Sequence, residues 1–174
     1  MSSLPAGCYR LQGQVFRAHN PQWAHAPESG EGARRHGGRW NRQGLAALYT
    51  SESFKTAWLE AQQGFVYKTQ PLTLCTYEVD CQPILDLTDP SVLAHYNIHP
   101  ADLACPWMSD WYQGRDPASW AIADGLIQKG IVGIRVASQS VGAGNEDINI
   151  VFWKWARTPP RQVRVIDDEN RLSR

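Results

Sequence analysis

The sequence has no surplus of charge of either sign: 17 Lys and Arg stand against 17 Asp and Glu. Proteins that grip DNA or RNA by their phosphates carry a basic excess, so no direct nucleic-acid partner is expected. No apolar run approaches 18 residues and no leader pattern stands out, so the expectation is a cytoplasmic chain with no membrane contact. The cysteines, Cys8, Cys75, Cys81 and Cys105, form no CxxC pair and no regular framework, which reads as free thiols. Cys75 and Cys81 are close enough in sequence to meet, but buried thiols are the commoner case. Repeats, low-complexity tracts and linkers are also missing, which leaves residues 1–174 as one domain. A core of that size needs neither disulfide nor metal to hold it. His95 and His99 have the i, i+4 spacing of a helical metal pair, yet Pro100 interrupts them and no HExxH surrounds them. A surface or structural role is expected, with no metal site.

What the chain does have is tryptophan, eight in all, and a local crowd of arginine. Trp favours places where one face packs and the indole N–H finds an acceptor. Trp107, Trp111 and Trp120 are read as core by default, with a ligand cleft or partner surface as the alternative. Arg10, Arg17, Arg34, Arg35, Arg39 and Arg42 face only Glu28 and Glu31 over the same stretch, a pattern suited to a small anionic ligand.

Hydrophobic periodicity predicts strands at Gln14–His19, Leu45–Ser51, Leu72–Asp80, Pro83–Leu87, Ile131–Ala137, Ile148–Trp155 and Gln162–Ile166. A helix is predicted over Ser53–Gln63, with Phe54, Ala57, Trp58 and Ala61 as its apolar stripe, Ser51 as a cap and Gly64 as its stop. A second is predicted over Pro117–Lys129, capped by Asp116 and ended by Gly130. Short helices broken by Pro100 and Pro106 fill Asp89–Tyr112, where Asp86, Asp89 and Asp110 read as turn and cap residues. The fold class expected is α+β, with helices packed on a mostly antiparallel core.

The most informative stretch is the Gly/Arg-rich loop Asn20–Gln43, above all Gly30 to Asn41. Glycines allow close backbone approach and can aim successive N–H groups at an anion, and Arg39 offers a planar fork for phosphate. A plain solvated turn is the competing reading. No Gly-Lys-Ser/Thr follows, so this is not a Walker A loop, and it does not join strand to helix as a dinucleotide fingerprint would. Tyr49 follows on the next strand and Glu60 on the next helix. A carboxylate can stabilise the oxocarbenium-like state of N-glycosidic cleavage, an aromatic ring can wall a nicotinamide, and an Arg can hold a pyrophosphate. The plain alternatives are a core-facing Tyr49 and a Glu60 on a solvated helix face.

The blocks Val15-Phe-Arg-Ala18, Gly37-Gly-Arg-Trp-Asn-Arg-Gln-Gly44, Ala47-Leu-Tyr-Thr-Ser51, Ala57-Trp-Leu-Glu60, Gly133-Ile-Arg-Val-Ala-Ser138 and Asn149-Ile-Val-Phe-Trp153 resemble, in order, those of the RES-domain toxins of bacterial toxin–antitoxin pairs. The likeness spans residues 9 to about 155. It implies a fold related to ADP-ribosyltransferase toxins, with NAD⁺ as substrate in a central cleft. On that resemblance Arg17 and Arg39 would hold NAD⁺ phosphates or ribose, Tyr49 would contact the nicotinamide side, Glu60 would be the catalytic carboxylate, and Ser138 and Asn149 would line the pocket. Ala137 stands where many relatives have Pro, and Ser140, two residues on, competes with Ser138. The reaction implied is cleavage of the nicotinamide–ribose bond by a glycohydrolase or phosphorylase, or ADP-ribosyl transfer to a host protein, towards which the resemblance to the ParT-like branch leans. The partner implied is an Xre-type helix-turn-helix antitoxin, with a catalytically weak antitoxin-binding co-repressor as the rival reading.

Overall fold

The computed structural model of the chain describes residues 4–62 and 70–172. Its strands are β1 (Cys8–His19), β2 (Leu48–Ser51), β3 (Thr73–Asp86), β4 (Gly133–Ala137), β5 (Ile148–Phe152) and β6 (Arg161–Val165). They are bonded in the order β1-β2-β5-β4-β3-β6, and β1 also pairs with β3, so five strands close into a ring and β6 extends it. Only the β3–β4 pairing is parallel among the described strands.

β3 makes the closure possible. One edge runs along β1, while the other pairs with β6 from Tyr77 to Cys81 and with β4 from Ile84 to Asp86. The partner changes at Pro83, which has no N–H to give to a ladder. The two strands predicted at Leu72–Asp80 and Pro83–Leu87 are therefore one. Pro83 marks a change of neighbour and no break in the strand.

Alternation along the strands divides the core in two. Val15, Leu48, Tyr77, Val79, Ile84, Ile150, Phe152 and Val163 pack inside the ring. Tyr49, Ile134, Val136, Val151 and Trp153 face the other way and are roofed by α3 (Pro90–His95) and α6 (Ala118–Gln128). Ile134, Ile150, Val151 and Phe152 are wholly buried, Ile150 and Phe152 inside the ring and Ile134 and Val151 under the roof, and burial of apolar area stabilises by about 25 cal/mol per Å² on both sides.

The long loop carries more structure than predicted. A 3₁₀ turn (Pro21–Trp23) and helix α1 (Glu31–His36) interrupt it. The arginine crowd is dispersed: Arg10 pairs with Asp80, Arg34 and Arg35 with Glu31, and Arg42 with Asp116 and Asp124. Asp116 thus holds Arg42 and does not cap α6, which starts at Ala118 behind Pro117 with no side-chain cap. Gly130 ends that helix region as expected, at φ +82°.

Helix α2 (Phe54–Gln62) turns differently from its apolar stripe. Phe54 (64% exposed) and Trp58 (36%) face outward, while Thr56 and Ala57 are buried. Ser53, and not Ser51, caps it by accepting from the Thr56 amide at 3.1 Å. Gly64 lies outside the described residues. Helices α4 (Pro100–Leu103) and α5 (Trp107–Tyr112) follow α3, each opening at a proline. His95 ends α3 and His99 precedes α4, so the two sit on separate helices. Among the described residues no helix is long and apolar enough to cross a membrane, and no three His, Cys, Asp or Glu side chains converge to hold a metal ion. Cys75, Cys81 and Cys105 are buried free thiols and Cys8 is half-buried.

Candidate active site

The Gly37–Asn41 segment is a tight reversal fastened from every side. Gly37 sits at φ +69°, a conformation L side chains avoid. At Gly38 a Cβ would lie 2.5 Å from the Tyr49 hydroxyl, so only glycine lets the phenol in. The carbonyls of Gly38, Arg39 and Trp40 accept from Trp120 Nε1 (2.8 Å), Ser119 Oγ (2.6 Å) and Trp153 Nε1 (2.8 Å). Two tryptophans here are structural pins as well as core. Asn41 Nδ2 donates to the carbonyls of Ala33, Arg42 and Leu45, and its Oδ1 accepts from the Tyr49 hydroxyl at 2.7 Å.

The amides of the Gly37–Asn41 reversal do not form the anion nest that the glycines suggested. The amides of Gly37, Gly38, Trp40 and Asn41 already donate to Ala33 O, Asn41 O, Tyr49 Oη and Gly38 O. What the loop presents is the Arg39 side chain. Its Nη1 donates to Cys105 O (2.6 Å) and Leu103 O (3.3 Å), between α4 and α5. Burial lowers the guanidinium pKa, opposed by Cys105, Glu60 and Tyr49 nearby, and the group stays charged. Burial likewise pushes the Tyr49 phenol well above its ordinary value, opposed by the Trp40 amide and by Arg39. Tyr49 is therefore a neutral hydroxyl at pH 7 and no general base.

Glu60, on α2, meets two donors. Ser138 Oγ lies 2.6 Å and Asn149 Nδ2 2.5 Å from its Oε1. Ser51 Oγ donates to Asn149 Oδ1 at 2.7 Å, which fixes the amide so that its NH₂ faces the carboxylate. Ser138, and not Ser140, makes the contact: β4 ends at Ala137, and the Ser140 amide donates back to Ser138 Oγ at 3.1 Å. The positions fit strand parity, since Tyr49 pairs with Val151 and Ser51 with Asn149 on one face of β2 and β5. The geometry thus brings Glu60, Ser138, Asn149, Tyr49 and Arg39 together, with a carboxylate, a guanidinium and a neutral phenol within electrostatic reach.

Arg17 is left out. On β1 its neighbour Phe16 pairs with Ser51 and shares the site face, so Arg17 points to the other side with Val15. There it donates to the carbonyls of Pro27 and Ser29, both at 3.3 Å, beside the Tyr77 hydroxyl, which donates to Pro27 O. It ties down the loop after β1 and is not placed to meet a ligand at Glu60. A groove of about 520 Å³ between this loop and residues 164–172 is lined by none of the Glu60 cluster.

Sequence reasoning missed Ser51, Ser119, Trp153 and Asp147. Ser119 and Trp153 reach the arginine loop across 80 and 113 positions, so no local pattern could signal them. Ser51 was visible as a cap and as the end of the Ala47–Ser51 block, but not as the partner of Asn149.

No curated protein matches the sequence. Among solved structures the chain is similar to a chain of the M. tuberculosis MbcT–MbcA toxin–antitoxin complex, with 23% identity, a TM-score of 0.66, and coverage of 92% of this chain and 85% of that one. At that identity the likeness concerns the fold. The RES domain matches residues 14–174, nearly the whole length, and the chain belongs to the RES domain family.

Proposed function

We propose that this RES-domain chain is the toxin of a bacterial toxin–antitoxin pair and that it breaks the nicotinamide–ribose bond of NAD⁺. The observation that carries the reading is the Glu60 carboxylate, held by Ser138 and Asn149 within electrostatic reach of Arg39 and Tyr49. As the C–N bond breaks, its electron pair leaves with nicotinamide, which becomes neutral, and positive charge passes to the ribose as an oxocarbenium-like ion. A preorganised carboxylate stabilises that charge, and Ser138 and Asn149 keep Glu60 from turning away. Arg39 holds a substrate phosphate. Its Nη1 is held by the Leu103 and Cys105 carbonyls, and the remaining Nε and Nη2 donors of the fork suit a charged phosphate acceptor. Tyr49, with its hydroxyl bound to the arginine loop, walls the nicotinamide side.

The acceptor then defines the product. Water makes the protein a glycohydrolase, inorganic phosphate a phosphorylase, and a side chain of a host protein an ADP-ribosyltransferase. Each leaves the same cation to be stabilised by the same carboxylate. NAD⁺ is the substrate, no metal takes part, and the cytoplasm supplies it.

An antitoxin of the Xre helix-turn-helix type is the proposed partner. Support comes from the MbcT–MbcA complex, a toxin–antitoxin assembly, and from Met108 and Tyr112, exposed on α5 beside the carbonyls that hold Arg39. That exposed surface also favours the second reading, a co-repressor that acts by binding antitoxin. Growth separates the two. Expression without antitoxin is expected to stop growth and deplete cellular NAD⁺, and Glu60→Gln to abolish both while the protein stays soluble. Equal arrest by wild type and Glu60→Gln would support the binding reading instead.

A further inference from the structure

Glu60, Ser138 and Asn149 come from three different elements, α2, the end of β4, and β5, yet one residue, Asp147, is tied to all three: its buried carboxylate bonds to α2, its backbone carbonyl to Ser138, and it directly precedes β5. Asp147 is 1% exposed. Its Oδ1 accepts from Thr56 Oγ1 at 2.6 Å, and its Oδ2 from the Gly144 amide at 2.8 Å and Lys55 Nζ at 3.0 Å. Its backbone carbonyl accepts the Ser138 amide at 2.8 Å. Two residues further on, the same chain becomes Asn149. Thr56 and Glu60 are four apart on α2, one turn of helix, so they lie on one face. Because the Thr56 proton goes to Asp147, the Ser53 hydroxyl at 2.8 Å donates to Thr56, and the helix cap joins the chain of bonds.

From this geometry we infer that Asp147 is a positioning residue that sets the register of α2 against the β4–β5 loop, and so aims Glu60 at Ser138 and Asn149. The inference rests on the reading of Glu60 as the catalytic carboxylate. Asp147 does not touch substrate; it acts through Thr56 and the Ser138 backbone. The Thr56 hydroxyl and then the Gly144 amide hold its carboxyl down at about 2 against the cost of burial, with Lys55 adding to them, so the clamp is charged throughout the working pH range.

The test compares Thr56→Val, which removes only the donor hydroxyl, with Thr56→Ser, which keeps it, and with Asp147→Asn. Glu60→Ala marks the state in which Asn149 has lost the carboxylate. Two readouts are used: kcat and KM for nicotinamide release, and the ¹H–¹⁵N signals of the Asn149 side-chain amide, with circular dichroism confirming the fold. In Thr56→Val the Asn149 signals are expected to move to their Glu60→Ala positions. In the same variant kcat should fall about tenfold or more with KM nearly unchanged, because small misplacements of a catalytic group act on the transition state. Thr56→Ser should keep both readouts at the wild-type values, and a folded Asp147→Asn should behave as Thr56→Val. Asn149 signals unchanged in a folded Thr56→Val overturn the inference. If the wild type releases no nicotinamide, the NAD⁺ reading falls, and the amide signals alone then decide the positioning role.

Discussion

Replacing Trp153 by alanine is expected to destabilise the fold by about 3–5 kcal/mol, the range for deleting a large buried aromatic. Trp153 is 5% exposed and packs with Trp40, Ile134 and Val151 in the core under α3 and α6. Its indole N–H is also the donor to the Trp40 carbonyl, so truncation leaves both a cavity and an unpaired buried acceptor. Trp153→Phe separates the two effects. The ring volume is mostly kept, and the loss should be about 1–3 kcal/mol, the cost of the unmade hydrogen bond. Urea unfolding followed by fluorescence or circular dichroism measures both. A loss under about 1 kcal/mol for the alanine variant would mean that the arginine loop is held without its indole pin.

Glu60→Gln should lower kcat for nicotinamide release by about 10²–10³-fold, the scale for removing one preorganised electrostatic group. The substitution keeps shape and leaves an amide oxygen to accept from Ser138 and Asn149, so stability should change little. KM should also change little, since the ground-state grip falls to Arg39. Steady-state kinetics on both proteins measures this. A variant with wild-type kcat would remove Glu60 from the chemistry and leave the cluster a structural one.

The strands were legible because the period-2 pattern of Leu48, Thr50, Ile148, Ile150 and Phe152 is local. The closed ring was not, since nothing near Pro83 says that β3 will exchange β6 for β4 there. The candidate cluster was legible where its residues fall in compact blocks, as with Arg39, Tyr49 and Glu60. Arg17 was misplaced for a physical reason. The resemblance suggested a ligand contact, whereas strand parity turns Arg17 to the face away from Glu60, where the Pro27 and Ser29 carbonyls accept from it. Phe54 and Trp58 misled in the same manner. Their spacing describes an apolar helix face, of which Ala57 alone is buried, while the side chains bonded inward are Thr56, to Asp147, and Glu60, to Ser138. The nest reading failed because glycine permits a ligand-facing amide and equally permits a closed hairpin. Here Asn41 and Tyr49 satisfy the amides first.

The central claim is tested most directly by incubating the purified chain with NAD⁺ alone, with inorganic phosphate, and with a bacterial lysate that supplies protein acceptors, and then separating the products by chromatography. The account predicts free nicotinamide in at least one condition, matched mole for mole by ADP-ribose, its phosphorylated product or ADP-ribosylated protein. NAD⁺ recovered intact from all three would contradict it.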